Sequence, residues 1–275
     1  MSADLAPSAI DLIDNRLRER LERDESHRPF ILGICGAQGS GKSTVANGLK
    51  QRLDARGVNT AVLSLDDIYL SKPDREQLAA SIHPLLKTRG VPGTHDVRLG
   101  ETVFDALGSS GEILLPRFDK ATDTRFPRSK WEPFEGPADV VIFEGWCVGA
   151  GPQAEYALTH PVNSLEAAED PDSRWRRWVN NKLGAEYQEL FARIDMLVLL
   201  AAPDFAVVAA WRSQQEHALR ESLLARGMDS RQTLDDDQIQ RFIQHYQRLT
   251  EHIIGSMPSY ADLVVRLDAR RRPLS

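Results

Sequence analysis

Gly36-x-x-x-x-Gly41-Lys42-Ser43 is the spacing in this 275-residue chain that most directly implies chemistry. Glycines at its ends let the backbone turn its N–H groups inward, where they cradle phosphate oxygens at a helix N-terminus. In such a loop Lys42 reaches the β- and γ-phosphates and the Ser43 hydroxyl ligates Mg²⁺. The stretch Gly36, Ala37, Gln38, Gly39, Ser40, Gly41, Lys42, Ser43 and Thr44 is therefore the candidate nucleotide-binding loop. A dinucleotide alternative, Gly39-x-Gly41-x-x-Thr44, lacks its third glycine and leaves Lys42 without a role. The expected ligands are ATP and Mg²⁺.

Moving a phosphoryl group to a hydroxyl also requires a metal anchor, a base and an acceptor pocket. Glu144 follows the apolar run Val140-Val-Ile-Phe143 and is the candidate metal ligand beside Ser43. Asp66 and Asp67 follow Thr60-Ala-Val-Leu-Ser-Leu65. Side chains alternate along an extended segment, so only one of two adjacent acids faces the phosphate. Asp66 is the preferred base, with Asp67 capping the following turn. Arg117, Asp119, Lys120, Arg125, Arg128 and Lys130 form a mainly basic loop, whose arginine forks suit an acceptor carboxylate. Further on, Arg212, His217 and Arg220 offer a cation that could close over the transferring phosphate.

The elements that must position these groups alternate strand and helix. Phe30 to Ile34 reads as a buried strand, and Val45, Leu49 and Leu53 recur at helical spacing. Further strands are expected at 60–65, 138–145, 195–202 and 262–267, with helices at 8–23, 175–191, 205–224 and 235–254. Asp235-Asp-Asp237 is expected to cap the last of these helices. This pattern predicts an α/β fold: a three-layer α/β/α sandwich of the phosphate-loop NTPase type, with a five-stranded, mainly parallel sheet. Residues 1–275 are read as a single domain. Within it lie an N-terminal amphipathic helix (1–28), a substrate-binding excursion (71–137) and a lid-like region (205–232).

A net charge of −6 argues against a nucleic-acid partner. Arg270, Arg271 and Arg272 are read as a short solvated tail. Two cysteines, Cys35 and Cys147, offer no disulfide framework and fit a reducing cytosol. No apolar run reaches membrane-spanning length and no signal peptide is evident, so a cytoplasmic protein without a membrane partner is expected.

The ordered motifs resemble the phosphate-loop glycerate kinases, the plant-type D-glycerate 3-kinase group and its microbial relatives, akin to uridine kinase, phosphoribulokinase and pantothenate kinase. The resemblance runs through the loop at 36–44, Leu63-Ser-Leu-Asp-Asp-Ile-Tyr-Leu70 and Arg89-Gly-Val-Pro-Gly-Thr-His-Asp96. It continues in Leu115-Pro-Arg-Phe-Asp-Lys120, Val141-Ile-Phe-Glu-Gly-Trp146 and Trp211-Arg-Ser-Gln-Gln-Glu216. Residues 121–130 depart from the plant-type loop, and Cys147-Val148 replaces a more usual Met-Leu pair. The resemblance implies an ATP-dependent kinase of a small acidic metabolite, with D-glycerate giving 3-phosphoglycerate as the leading expectation. It places Asp66 as the base and Glu144 near the metal, with Arg212 in the lid. It puts Tyr69, His95, Asp96, Arg117 and Asp119 at the acceptor pocket, and Asp67 and Arg125 are further candidate substrate contacts. Two alternatives stand: a nucleoside or pantothenate-like acceptor, and a regulatory NTPase. The second lacks its guanine-reading acid, since Asn181-Lys-Leu-Gly184 ends in glycine.

Overall fold

The computed structural model describes residues 8–24, 29–120, 122–225 and 235–274, and the structural statements below concern those residues. Parts of the expected N-terminal segment (1–7 and 25–28) and lid-like region (226–232) lie outside them. Helix α1 (Ala9–Leu21) opens on Ser8, whose hydroxyl accepts the Asp11 N–H while the Asp11 carboxylate accepts the Ser8 N–H. β1 (Phe30–Gly36), α2 (Lys42–Asp54) and β2 (Thr60–Ser64) follow as the sequence predicts.

The excursion carries α3 (Lys72–Ser81), α4 (Val97–Leu107) and an antiparallel pair, β3 (Gly111–Leu115) with β6 (Glu132–Gly136). Between the two strands of that pair runs a short ribbon of β4 (Phe118–Asp119) and β5 (Thr124–Arg125). The chain returns to the main sheet as β7 (Val140–Gly145), then forms α5 (Ser164–Glu169), α6 (Arg174–Gly184) and α7 (Glu186–Phe191). Residues 175–191, expected as one helix, are two, because Ala185 leaves helical geometry at φ −110°, ψ −109°. β8 (Met196–Ala201), α8 (Phe205–Ala225), α9 (Asp236–Ser256) and β9 (Leu263–Arg266) complete the order. Asp235 caps α9 reciprocally with Gln238, as the acidic run predicts.

The main sheet runs β2-β7-β1-β8-β9, parallel throughout. Alternation along each strand divides the apolar residues between two faces. Phe30, Leu32 and Ile34 of β1 pack with α1, α2 and α8 through Leu17, Leu49 and Trp211. Ile31 and Cys35 face the other layer, with Phe104 of α4, Leu190 of α7 and Leu249 of α9. Register then sets the chemistry: Ser64 lies beside Glu144 and Cys35 beside Gly145, so three strand ends finish level. Ligands of open parallel sheets bind at such carboxyl ends.

Candidate active site

β1 ends at Gly36, and the chain turns through 37–41 into α2. Gly39 (φ +78°) and Gly41 (φ +89°) hold left-handed conformations that a side chain would strain. At Gly39 an added Cβ would also meet the Trp211 Cβ at 2.6 Å. No side chain caps α2, and its first turn has no acid, so its leading N–H groups are left for an anion.

Ser43 Oγ donates to Glu144 Oε1 at 2.8 Å. Glu144 is 4% exposed, and its Oε2 has no protein partner. A buried carboxylate oxygen left open beside a hydroxyl suits a hard cation such as Mg²⁺. Among the described residues no cluster of three or more His, Cys, Asp or Glu could hold a metal. An ion here would therefore need further oxygens from phosphate and water. A cavity of about 400 Å³ opens beside the pair, lined by Ser43, Lys50, Asp67, Arg117, Glu132 and Glu144.

Asp66 and Asp67 do part company, though not by strand alternation. β2 stops at Ser64, whose hydroxyl accepts the Asp66 N–H at 3.2 Å and starts the 3₁₀ turn Leu65–Ile68. Asp66 accepts from Tyr69 Oη at 2.8 Å and from Lys120 Nζ at 2.7 Å. Burial disfavours its charge, but Lys120 and Lys42 outweigh burial and hold the carboxyl well below its ordinary pKa. Asp67 was expected to cap the next turn. Instead it accepts from Arg117 and the Phe118 N–H, each at 3.1 Å, and pins the excursion to the sheet end. Burial raises its pKa, opposed by Arg117.

The remaining acceptor candidates gather around Tyr69. Backbone bonds from Leu70 N to Thr94 O and from Asp96 N to Ile68 O join 68–70 to 94–96. Tyr69 stacks on His95 with centroids 4.6 Å apart and meets Phe118 edge-on at 5.3 Å. Asp96 caps α4 through Leu99 N and accepts from Arg125, which also donates to Tyr69 O at 2.9 Å. Arg117 is committed to Asp67, Glu132 and its neighbour's carbonyl, and Asp119 accepts from Thr122 Oγ1. Arg212 pairs with Glu216 at 2.6 Å and lies over Phe242, one residue past the Trp211 that abuts Gly39.

Three contacts escaped the sequence reading. Lys120 stood there only as one cation of a loop. Tyr187 lies on the apolar face of α7, where spacing signals core. Arg271 is not solvated as expected: its guanidinium covers Trp211 at 5.2 Å and donates to Gly39 O and Gln214.

Seven buried side-chain nitrogen or oxygen atoms among the described residues lack a protein partner, and four of them belong to Ser40, His95, Arg125 and Glu144. Buried polar groups are rarely left unpaired, and these four lie in the loop at 36–44, at the end of β7 and around Tyr69. No helix among the described residues is long and apolar enough to cross a membrane.

Comparison with known proteins bears on the same residues. The phosphoribulokinase / uridine kinase family matches residues 31–149. The uncharacterized kinase mug58 of Schizosaccharomyces pombe is 34% identical over 97% of this chain and 99% of its own length. The chloroplastic D-glycerate 3-kinase of Arabidopsis thaliana is 28% identical over 90% of this chain, which spans only 54% of that protein. The solved D-glycerate 3-kinase of Cryptococcus neoformans aligns with a TM-score of 0.78 at 25% identity, covering 98% of this chain and 99% of that one.

Proposed function

Because the chain belongs to the phosphoribulokinase / uridine kinase family, in the branch of the phosphate-loop glycerate kinases, we propose that it phosphorylates a hydroxyl of a small acidic metabolite from ATP, with D-glycerate giving 3-phosphoglycerate. The observation that carries this reading is the set of unpaired buried atoms, because it includes both a carboxylate oxygen of Glu144, which also binds Ser43, and an arginine nitrogen. Arg117 is already bound to two acids, so Arg125, with its Nε free, is the better receiver for an acceptor carboxylate.

The amides of 37–44 and Lys42 would hold the triphosphate, with Ser43 and Glu144 holding Mg²⁺ against it. The ion supplies charge neutralisation on the phosphates. Asp66 would accept a hydrogen bond from the acceptor hydroxyl and take its proton as the new P–O bond forms and the bond to the β-phosphate oxygen breaks. Its depressed pKa makes it a weak base, which suits a loose transition state whose proton leaves late. The free, buried thiols of Cys35 and Cys147 accord with a reducing compartment.

A nucleoside acceptor is the second reading, supported by the match to the phosphoribulokinase / uridine kinase family. A panel of D-glycerate, L-glycerate, uridine and pantothenate with labelled ATP and Mg²⁺ separates them. D-glycerate should give the highest kcat/KM, and faster turnover of uridine would overturn the assignment.

A further inference from the structure

His95 holds a polar atom whose purpose the arrangement above leaves open. Its Nδ1 lies 2.6 Å from Tyr187 Oη, and that same oxygen accepts the Gly93 N–H at 2.8 Å. A phenol has a single proton to give. Donation to Nδ1 satisfies both side chains, whereas a proton on Nδ1 would leave the hydroxyl hydrogen buried without an acceptor. The proton of the neutral ring therefore sits on Nε2. Burial pushes the imidazole pKa down to about 3, although Asp66 pulls the other way, so the ring is neutral under physiological conditions. Nε2 is buried, in a residue 3% exposed, and has no protein partner. The ring lies flat on Tyr69, whose hydroxyl donates to Asp66.

We propose that His95 is a fixed neutral N–H donor to an oxygen of the phosphoryl acceptor, and that Tyr187 is the positioning residue that sets its tautomer. The inference rests on the kinase reading for the identity of the ligand, but not for the state of the ring. A neutral donor with no lone pair facing the ligand selects for an oxygen that can receive a hydrogen bond, whether carboxylate, carbonyl or hydroxyl. It gives an ammonium group at the same place nothing to bind. Tyr187 belongs to α7 and Gly93 to the turn before α4, so the excursion and the later helices jointly prepare this donor.

The test uses the full chain with ¹⁵N-labelled histidine, with the His95 signals identified by their loss in His95→Gln. Wild type should show a neutral ring protonated at Nε2, and Tyr187→Phe should show mixed tautomers. With D-glycerate and ATP, Tyr187→Phe should raise the acceptor KM ~10-fold and leave the ATP KM unchanged. His95→Gln, whose amide N–H stands where Nε2–H does, should retain more acceptor affinity than His95→Leu. A wild-type ring protonated at Nδ1 would overturn the proposal. So would an acceptor KM that stays constant, or a parallel rise in both KM values. If no member of the acceptor panel is turned over, the substrate reading fails alone, and the spectra still decide the tautomer.

Discussion

At the nucleotide end, nine consecutive residues, 36–44, supply nearly everything, and most of it is backbone: two left-handed glycines and an uncapped helix start. At the proposed acceptor end, Asp66 and Tyr69 share one turn while His95, Arg125 and Tyr187 come from other segments as far as α7, and what they supply is side-chain hydrogen bonds. A backbone cradle depends on glycine geometry and one helix. A side-chain network depends on every partner being present, and on the folds of the segments that carry them. Under the proposed assignment, the contrast predicts that nucleotide binding survives changes to the acceptor network, because the two ends share few supports.

The sharpest way to break the comparison is Asp66→Asn. It should lower kcat ~10²–10⁴-fold while leaving ATP affinity nearly intact, measured by steady-state kinetics and by calorimetric titration with ATP. A matching loss of ATP affinity would show the ends to be one unit.

Lys120→Met tests the electrostatics of the acceptor end alone. With Lys120 present, Asp66 stays ionised well below the ordinary carboxylate range, so it contributes no acid limb at moderate pH. Without it, burial is opposed chiefly by Lys42 and the pKa rises. The acid limb of the kcat/KM profile should then move to higher pH than in wild type. A depressed native pKa contributes stability above the unfolded value, and the contribution is lost as pH falls through the native one. The variant lacks that contribution, so it should be less stable than wild type at neutral pH and should lose less stability as pH falls below ~4. An unshifted profile would return Lys120 to the solvated loop.

The smallest effect is expected from Arg271→Gln. An arginine over an indole contributes ~0.5–1 kcal/mol, so ATP affinity should fall about two- to fivefold with no change in acceptor KM. A change in acceptor KM instead would join the two ends through α8.

Legibility in the sequence followed the same division. The loop at 36–44 and the acid at 144 could be read because each is local: fixed spacing in one case, a strand end in the other. The five parallel strands were legible from apolar runs between helical patterns. The separation of Asp66 from Asp67 was anticipated, but for the wrong geometric reason, since Ser64 starts a helical turn where extended chain was expected. The break at Ala185 carries no glycine or proline to announce it. Tyr187 was invisible because a buried tyrosine on an amphipathic helix looks like any core residue, and its partners lie about ninety positions away. Arg271 was misread for a related reason. Three consecutive arginines look solvated until the fold lays one of them on a tryptophan.

Trp211 touches Gly39 on one side, donates to Ala269 O and carries Arg271, which reaches back to Gly39 O. The turn that receives phosphate and the segment after β9 thus share one brace, although they lie at opposite ends of the chain. By linkage, whatever occupies the cradle also favours seating of the final strand, in proportion to ligand concentration over its dissociation constant. Nucleotide should therefore slow fraying and proteolytic clipping beyond β9, a protective effect exerted far along the sequence from the atoms it contacts.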